Sequence, residues 1–159
     1  NRTTLSALRI PTSTILITPS GESQMAVTAN QQTTRRDGCR GSHQVAASTQ
    51  LYEGSLAFIN SSGYADDDTA TGANAFAGVV VTEIDNSSGS AGDKSVEVHR
   101  RGDFLLEGSG FSLSDVGSAI YASDNYTITL TSTNNTQIGT LAEFVSATKV
   151  WVKIDDFTV

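Results

Sequence analysis

Lys149–Ile154 reads Lys-Val-Trp-Val-Lys-Ile, and its strict alternation decides the fold class. Val150, Val152 and Ile154 fall on one side of an extended chain and Trp151 and Lys153 on the other, the period-two pattern of a strand with one buried face. Ser95–Arg100 repeats it, with Val96 and Val98 inward and Glu97 and His99 outward. Further β-prone runs recur between turn signals at intervals of about ten residues. Leu56–Asn60 leads to the turn Ser61-Ser62-Gly63. Phe76–Ile84 reads as a buried strand, Asn86–Asp93 as a loop, and Phe104–Glu107 as a strand after a Gly102-Asp103 turn. Ser118–Ala122 and Tyr126–Leu130 flank Ser123-Asp124-Asn125 and predict a hairpin. Ile138–Leu141 precedes Glu143-Phe144-Val145. No long stretch has helical spacing, and Leu113–Val116 holds at most one short helix. The expectation is an all-β body, a small β-sandwich or β-barrel.

The front of the chain reads differently. Ser13–Thr18 (STILIT) is a short β-like run between Pro11 and Pro19, while Asn30–Ser42 is polar and glycine-punctuated and has no apolar face. Such a segment buries too little surface to fold alone. The 159 residues therefore divide into an extended N-terminal arm, residues 1–49, and a β-rich domain, residues 50–159. Charge follows the same division. Residues 1–50 carry five Arg against Glu22 and Asp37, a net of +3, whereas residues 51–159 carry five Lys/Arg against fifteen Asp/Glu, a net of −10, which together give the overall −7. A basic leader on an acidic body implies different surroundings for the two parts.

Several chemistries lose their footing at this level. A lone cysteine, Cys39, permits no intrachain disulfide and no cysteine-based zinc site. The two histidines, His43 and His99, accompany no Gly-x-Ser-x-Gly elbow, so a serine hydrolase lacks its frame. Three consecutive carboxylates, Asp66-Asp67-Asp68, do not have the alternating spacing of a calcium loop. Arg101-Gly102-Asp103 spells a receptor-read tripeptide but is fully explained as a turn between two strands. Neither phosphate-binding glycine motif occurs. The acidic body and the absence of aromatics among Arg35, Arg36 and Arg40 argue against nucleic acid as a partner. No apolar run is long enough to span a membrane, and Leu5–Ile17, with Arg9 and Pro11 inside it, is too polar for the core of a secretory signal. The sequence thus predicts a binding protein rather than an enzyme, with no cofactor and no metal.

A succession of phrases carries a resemblance. Leu51–Ala65 (LYEGSLAFINSSGYA) is followed by Ala77–Val80 (AGVV), Val96–Gly102 (VEVHRRG), Gly117–Asn125 (GSAIYASDN), Ile138–Leu141 (IGTL) and Val150–Ile154 (VWVKI). In order and spacing this resembles the small bacteriophage capsid decoration proteins, also called cement or head-stabilising proteins, over roughly residues 50–155. AGVV and IGTL are expected to be strands whose glycine admits a neighbouring backbone.

The resemblance implies a viral structural protein on the outer surface of the virion capsid, made in the host cytoplasm. It would stabilise the mature head by bridging major capsid protein subunits, commonly as a homotrimer at three-fold or quasi-three-fold positions. The arm would then grip the shell, with Ile15, Leu16 and Ile17 adding a strand to a capsid edge and Arg2, Arg9, Arg35, Arg36 and Arg40 meeting carboxylates. Tyr121, Trp151 and Phe157 are the candidates for the oligomer interface. The alternative is a carbohydrate-binding or adhesion β-domain of a phage fibre or cell-surface protein. Its usual mark, clustered aromatics, is thin in a chain whose four Tyr and one Trp are dispersed.

Overall fold

The computed structural model describes residues 38–155. Along them run the strands β1 (Arg40–Gln44), β2 (Thr49–Leu51), β3 (Leu56–Ile59), β4 (Ala65–Asp66), β5 (Ala75–Val80), β6 (Ile84–Asn86), β7 (Ser95–His99), β8 (Gly102–Gly108), β9 (Ala119–Ala122), β10 (Thr127–Thr129), β11 (Thr136–Ser146) and β12 (Lys149–Ile154). Two short 3-10 turns, Ala70–Gly72 and Leu113–Asp115, complete them, the second falling where a short helix is expected. The body is all-β. An antiparallel sheet in the order β1-β7-β5-β3-β4 accompanies a closed barrel in the order β10-β8-β12-β11-β9 and a ribbon of β2 and β6. Among the described residues no helix is long and apolar enough to cross a membrane.

The alternating runs behave as read. Val150, Val152 and Ile154 are buried on β12 while Trp151 and Lys153 are exposed, and Val96 and Val98 are buried on β7. The hairpin of β9 and β10 forms around residues 123–125. Barrel closure then comes from a parallel pairing of β10 with β8, where Ile128 lies opposite Gly108.

Two apolar clusters hold these layers. One fills the barrel and includes Leu56, Phe58, Phe76 and Val79 from β3 and β5. The other gathers Val45, Leu51, Ala57, Ala65, Ala77, Val80, Val96 and Val98. β3 and β5 therefore contribute to both clusters and have little face left for water, which is why FAGVV reads as a continuous apolar run rather than an alternating one.

On β5 the phase of alternation changes in mid-strand. Ala57 pairs with Gly78 and Phe58 with Phe76, so Ala77 is an extra residue. This β-bulge puts Phe76 and Val79, three apart, in one cluster, and Ala77 and Val80 in the other. β11 uses the same device. Ile138 and Gly139 together oppose Ile120, and two further irregularities follow at Ala142 and Val145. Ile138, Leu141 and Phe144 consequently all meet the barrel core. Ile138–Leu141 and Glu143–Val145 are thus parts of one bent strand.

The expected close approach at AGVV and IGTL is present. A Cβ on Gly78, whose φ is +145°, would lie 2.4 Å from the His99 carbonyl oxygen, and one on Gly139 would lie 2.4 Å from the Lys153 carbonyl oxygen.

Three boundaries differ from the sequence reading. Phe76–Ile84 contains two strands, β5 and β6, in different sheets. Gly102 and Asp103 are not a turn: they open β8, paired with Ile154 and Lys153, and the chain bends instead at Arg100–Arg101. The body also begins ahead of residue 50, since Arg40–Gln44 pairs with β7 along its whole length and Val45 is fully buried. β1 has no apolar side chain because an edge strand is held by its main-chain ladder, which leaves no pattern in the sequence.

Gly78→Ala and Gly139→Ala are each expected to destabilise the body by roughly 2–4 kcal/mol, through strain and overpacking against fixed carbonyls. Gly63→Ala, at positive φ like Gly78 but with nothing near the added Cβ, is expected to cost about 1 kcal/mol. Urea unfolding of the three variants measures this ranking.

Candidate functional site

Of the residues the sequence nominates, Arg2, Arg9, Ile15, Leu16, Ile17, Arg35, Arg36 and Phe157 lie outside the described residues. Arg40 stands on β1, and its guanidinium meets Glu97 of β7 at 3.3 Å with both side chains half exposed. Such a pair is weak and exchanges readily with water. Tyr121 is half-buried on β9, opposite Gln137 and Thr129. Trp151 points outward from β12, directly across from Leu105 on β8, and both are exposed. The structure does not bring Tyr121 and Trp151 onto one strand pair.

The other chemical candidates are occupied locally. The His99 ring sits 5.9 Å from that of Phe104. Asp66 accepts the backbone N–H of Asp67 at 2.9 Å and the side-chain amide of Asn60 at 3.0 Å, while Asp68 accepts the N–H of Ala70 at 2.7 Å. These carboxylates shape a loop. Burial, then hydrogen bonding to Asp66, pushes the Asp67 carboxyl upward. Among the described residues no three His, Cys, Asp or Glu side chains converge as metal ligands.

Among the described residues, two of the surface hollows bear on function. One, of about 300 Å³, is lined by Asp85–Gly89, Asp93 and Lys94. Beside it the buried Asn86 amide donates to the carbonyls of Ala46 at 2.8 Å and Ser90 at 3.0 Å. Asn86 is thereby a fastener between the β6–β7 loop and the turn after β1.

The other is a groove of about 500 Å³ lined by Tyr52, Glu53, Gly54, Ser55, Asn125 and Tyr126. Its walls are the turn between β2 and β3 and the turn between β9 and β10. The Leu56 N–H donates to the Asn125 carbonyl at 2.7 Å and ties the two walls together. Within the first wall the Ser55 hydroxyl donates to the Tyr52 carbonyl at 2.7 Å. In the second, Asp124 accepts the N–H groups of Tyr126 and Thr127 at 2.8 and 2.5 Å.

The Tyr126 hydroxyl hydrogen-bonds Glu107 on β8, and Lys149 on β12 grips the same carboxylate at 2.6 Å. The Lys149 ammonium, then the Tyr126 hydroxyl, hold Glu107 below the ordinary carboxylate range. Glu107 in turn raises both the Tyr126 phenol and the Lys149 ammonium. Tyr126 is thus tethered at its tip while remaining 56% exposed, and Tyr52 is 54% exposed. The sequence reading did not find this pair, because two tyrosines from opposite halves of the chain share no motif. The turn signal of the second loop, Ser123-Asp124-Asn125, was visible; its adjacency to the first loop was not.

Lys149→Met is expected to return Glu107 toward its ordinary value of 4.5. Because folding lowers this pKa, the stabilisation from the pair is complete above the unfolded value and fades as pH falls through the folded one. Carboxyl carbon NMR titration of both proteins checks the direction, and acid unfolding should show their stability difference shrinking as pH falls below 4.5.

Comparison with models of protein families, with curated proteins and with solved structures returns no match for this chain.

Proposed function

We propose that this chain is a structural protein of a virus particle that binds the outside of a bacteriophage capsid and holds neighbouring major capsid subunits together. The observation that carries this reading is the outward Trp151–Leu105 pair on the barrel wall. An aromatic and an aliphatic side chain exposed on paired strands form a rigid anchor for another protein surface. Charged pairs border them, Glu107 with Lys149 and Lys153 with Asp155, in the manner of an apolar centre with a polar rim.

Two further points support it. The ordered phrases from Leu51 to Ile154 resemble decoration proteins. The basic segment, with Arg2, Arg9, Arg35 and Arg36, leads into β1, an edge strand. In this reading the arm contacts the shell, and copies associate as a trimer through the Trp151–Leu105 face at three-fold or quasi-three-fold positions. Ordering an arm costs conformational entropy, which several arms in one oligomer offset through effective concentration.

Deleting residues 1–37, and not beyond, leaves β1 intact. The shortened chain is expected to keep its β-type circular dichroism and to lose roughly a hundredfold or more in apparent affinity for undecorated heads. Undiminished occupancy by electron cryomicroscopy would refute the arm's role, and failure of the full chain to decorate heads would refute the reading itself. Trp151→Ser with Leu105→Ser should convert a trimer to monomers in light scattering.

A further inference from the structure

Tyr52 and Tyr126 are the most exposed aromatic side chains among the described residues, and they line one groove. Large aromatic faces left in water cost hydrophobic free energy, so their coincidence in one concavity marks a contact surface. Neither ring rests on a loose loop. Tyr126 is tethered through Glu107 to Lys149, and the carbonyl of Tyr52 is fixed by the Ser55 hydroxyl. The turns that carry the two rings are thereby held in place, which lowers the entropy lost when something stacks on them.

We infer that the groove between Tyr52 and Tyr126 binds a neutral saccharide of about two or three rings. A pyranose presents an apolar C–H face and an edge of hydroxyls. The electron-rich face of tyrosine complements the first, and the carboxylate of Glu53 and the amide of Asn125 offer acceptors and donors to the second. The volume, about 500 Å³, lies within the range of small-ligand sites.

Charge selects among saccharides. The lining includes Glu53 and no Lys or Arg, and Lys149 is already paired with Glu107. A sialylated, sulfated or phosphorylated glycan would bring its anion beside a carboxylate, without the cation it needs. A proline-rich peptide also stacks on aromatic rings, but the remaining lining of Glu53, Ser55 and Asn125 is polar and suits hydroxyl partners better. This site adjoins the Trp151–Leu105 face through the Glu107–Lys149 pair but does not rest on the virion reading.

The test takes the full chain to an array of neutral, sialylated and sulfated glycans, and then to 1H–15N NMR titration with maltotriose, cellobiose and diacetylchitobiose. The expected result is saturable binding of neutral glycans with shifts at residues 52–55 and 124–126. Tyr52→Ala and Tyr126→Ala should each weaken it by about tenfold or more. Tyr126→Phe, which keeps the stacking face and loses the hydroxyl, should fall between the parent and Tyr126→Ala, while Tyr121→Ala, outside the groove lining, should change nothing. Four results would each overturn the proposal: no saturable binding to any neutral glycan, binding indifferent to both alanine variants, preference for the anionic glycans, or occupation of the groove by decaproline in the absence of saccharide binding.

Discussion

Two backbone carbonyls, those of His99 and Lys153, lie where a Cβ on Gly78 or Gly139 would have to be, and the layering of this protein depends on that fit. At each glycine the strand gains a residue and its inward face changes phase. Without the bulge at Gly78, Phe76 and Val79 would point to opposite sides, and β5 could not serve the barrel core and the second cluster with the residues it has. Without the one at Gly139, Ile138 and Leu141 would not share the barrel interior. Curvature follows from the same insertions, since a bulge bends and twists its strand. A barrel of only five strands needs that bending.

This also explains how far the sequence could be read. Strands with one wet face, Ser95–His99 and Lys149–Ile154, announce themselves because water enforces alternation. The β9–β10 hairpin is legible from Ser123-Asp124-Asn125, since turn chemistry is local. Strand β11 is not legible as one element, because its inward residues Ile138, Leu141 and Phe144 recur every three positions, a spacing alien to regular strands. β1 was hidden for another reason. Its five residues, Arg40 to Gln44, are held by main-chain bonds to β7, and main-chain bonds have no side-chain signature.

The binding surfaces divide in the same way. Trp151 could be placed outward from its phase in an alternating strand, and it is outward. Its neighbour Leu105 could not, because cross-strand register is a property of the pairing of β8 with β12 rather than of either strand. Tyr52 and Tyr126 meet only because the β2–β3 and β9–β10 turns are joined through Leu56 and Asn125, a contact set by the packing of sheet on barrel. Aromatic residues dispersed in sequence are therefore no guide to their dispersion in space.

The two kinds of sheet differ in what they leave open to other chains. The barrel closes through two residue pairs between β10 and β8, Thr127 with Glu107 and Ile128 with Gly108, and among the described residues Gly102–Leu106 of β8 pair with β12 alone. The open sheet has two borders, and both are poor templates for a growing fibre. β1 lacks any apolar side chain to hold an incoming strand in register, and β4 is only two residues long and ends in Asp66. Among the described residues, neither border of this sheet therefore invites a further copy of the body to extend it by strand pairing.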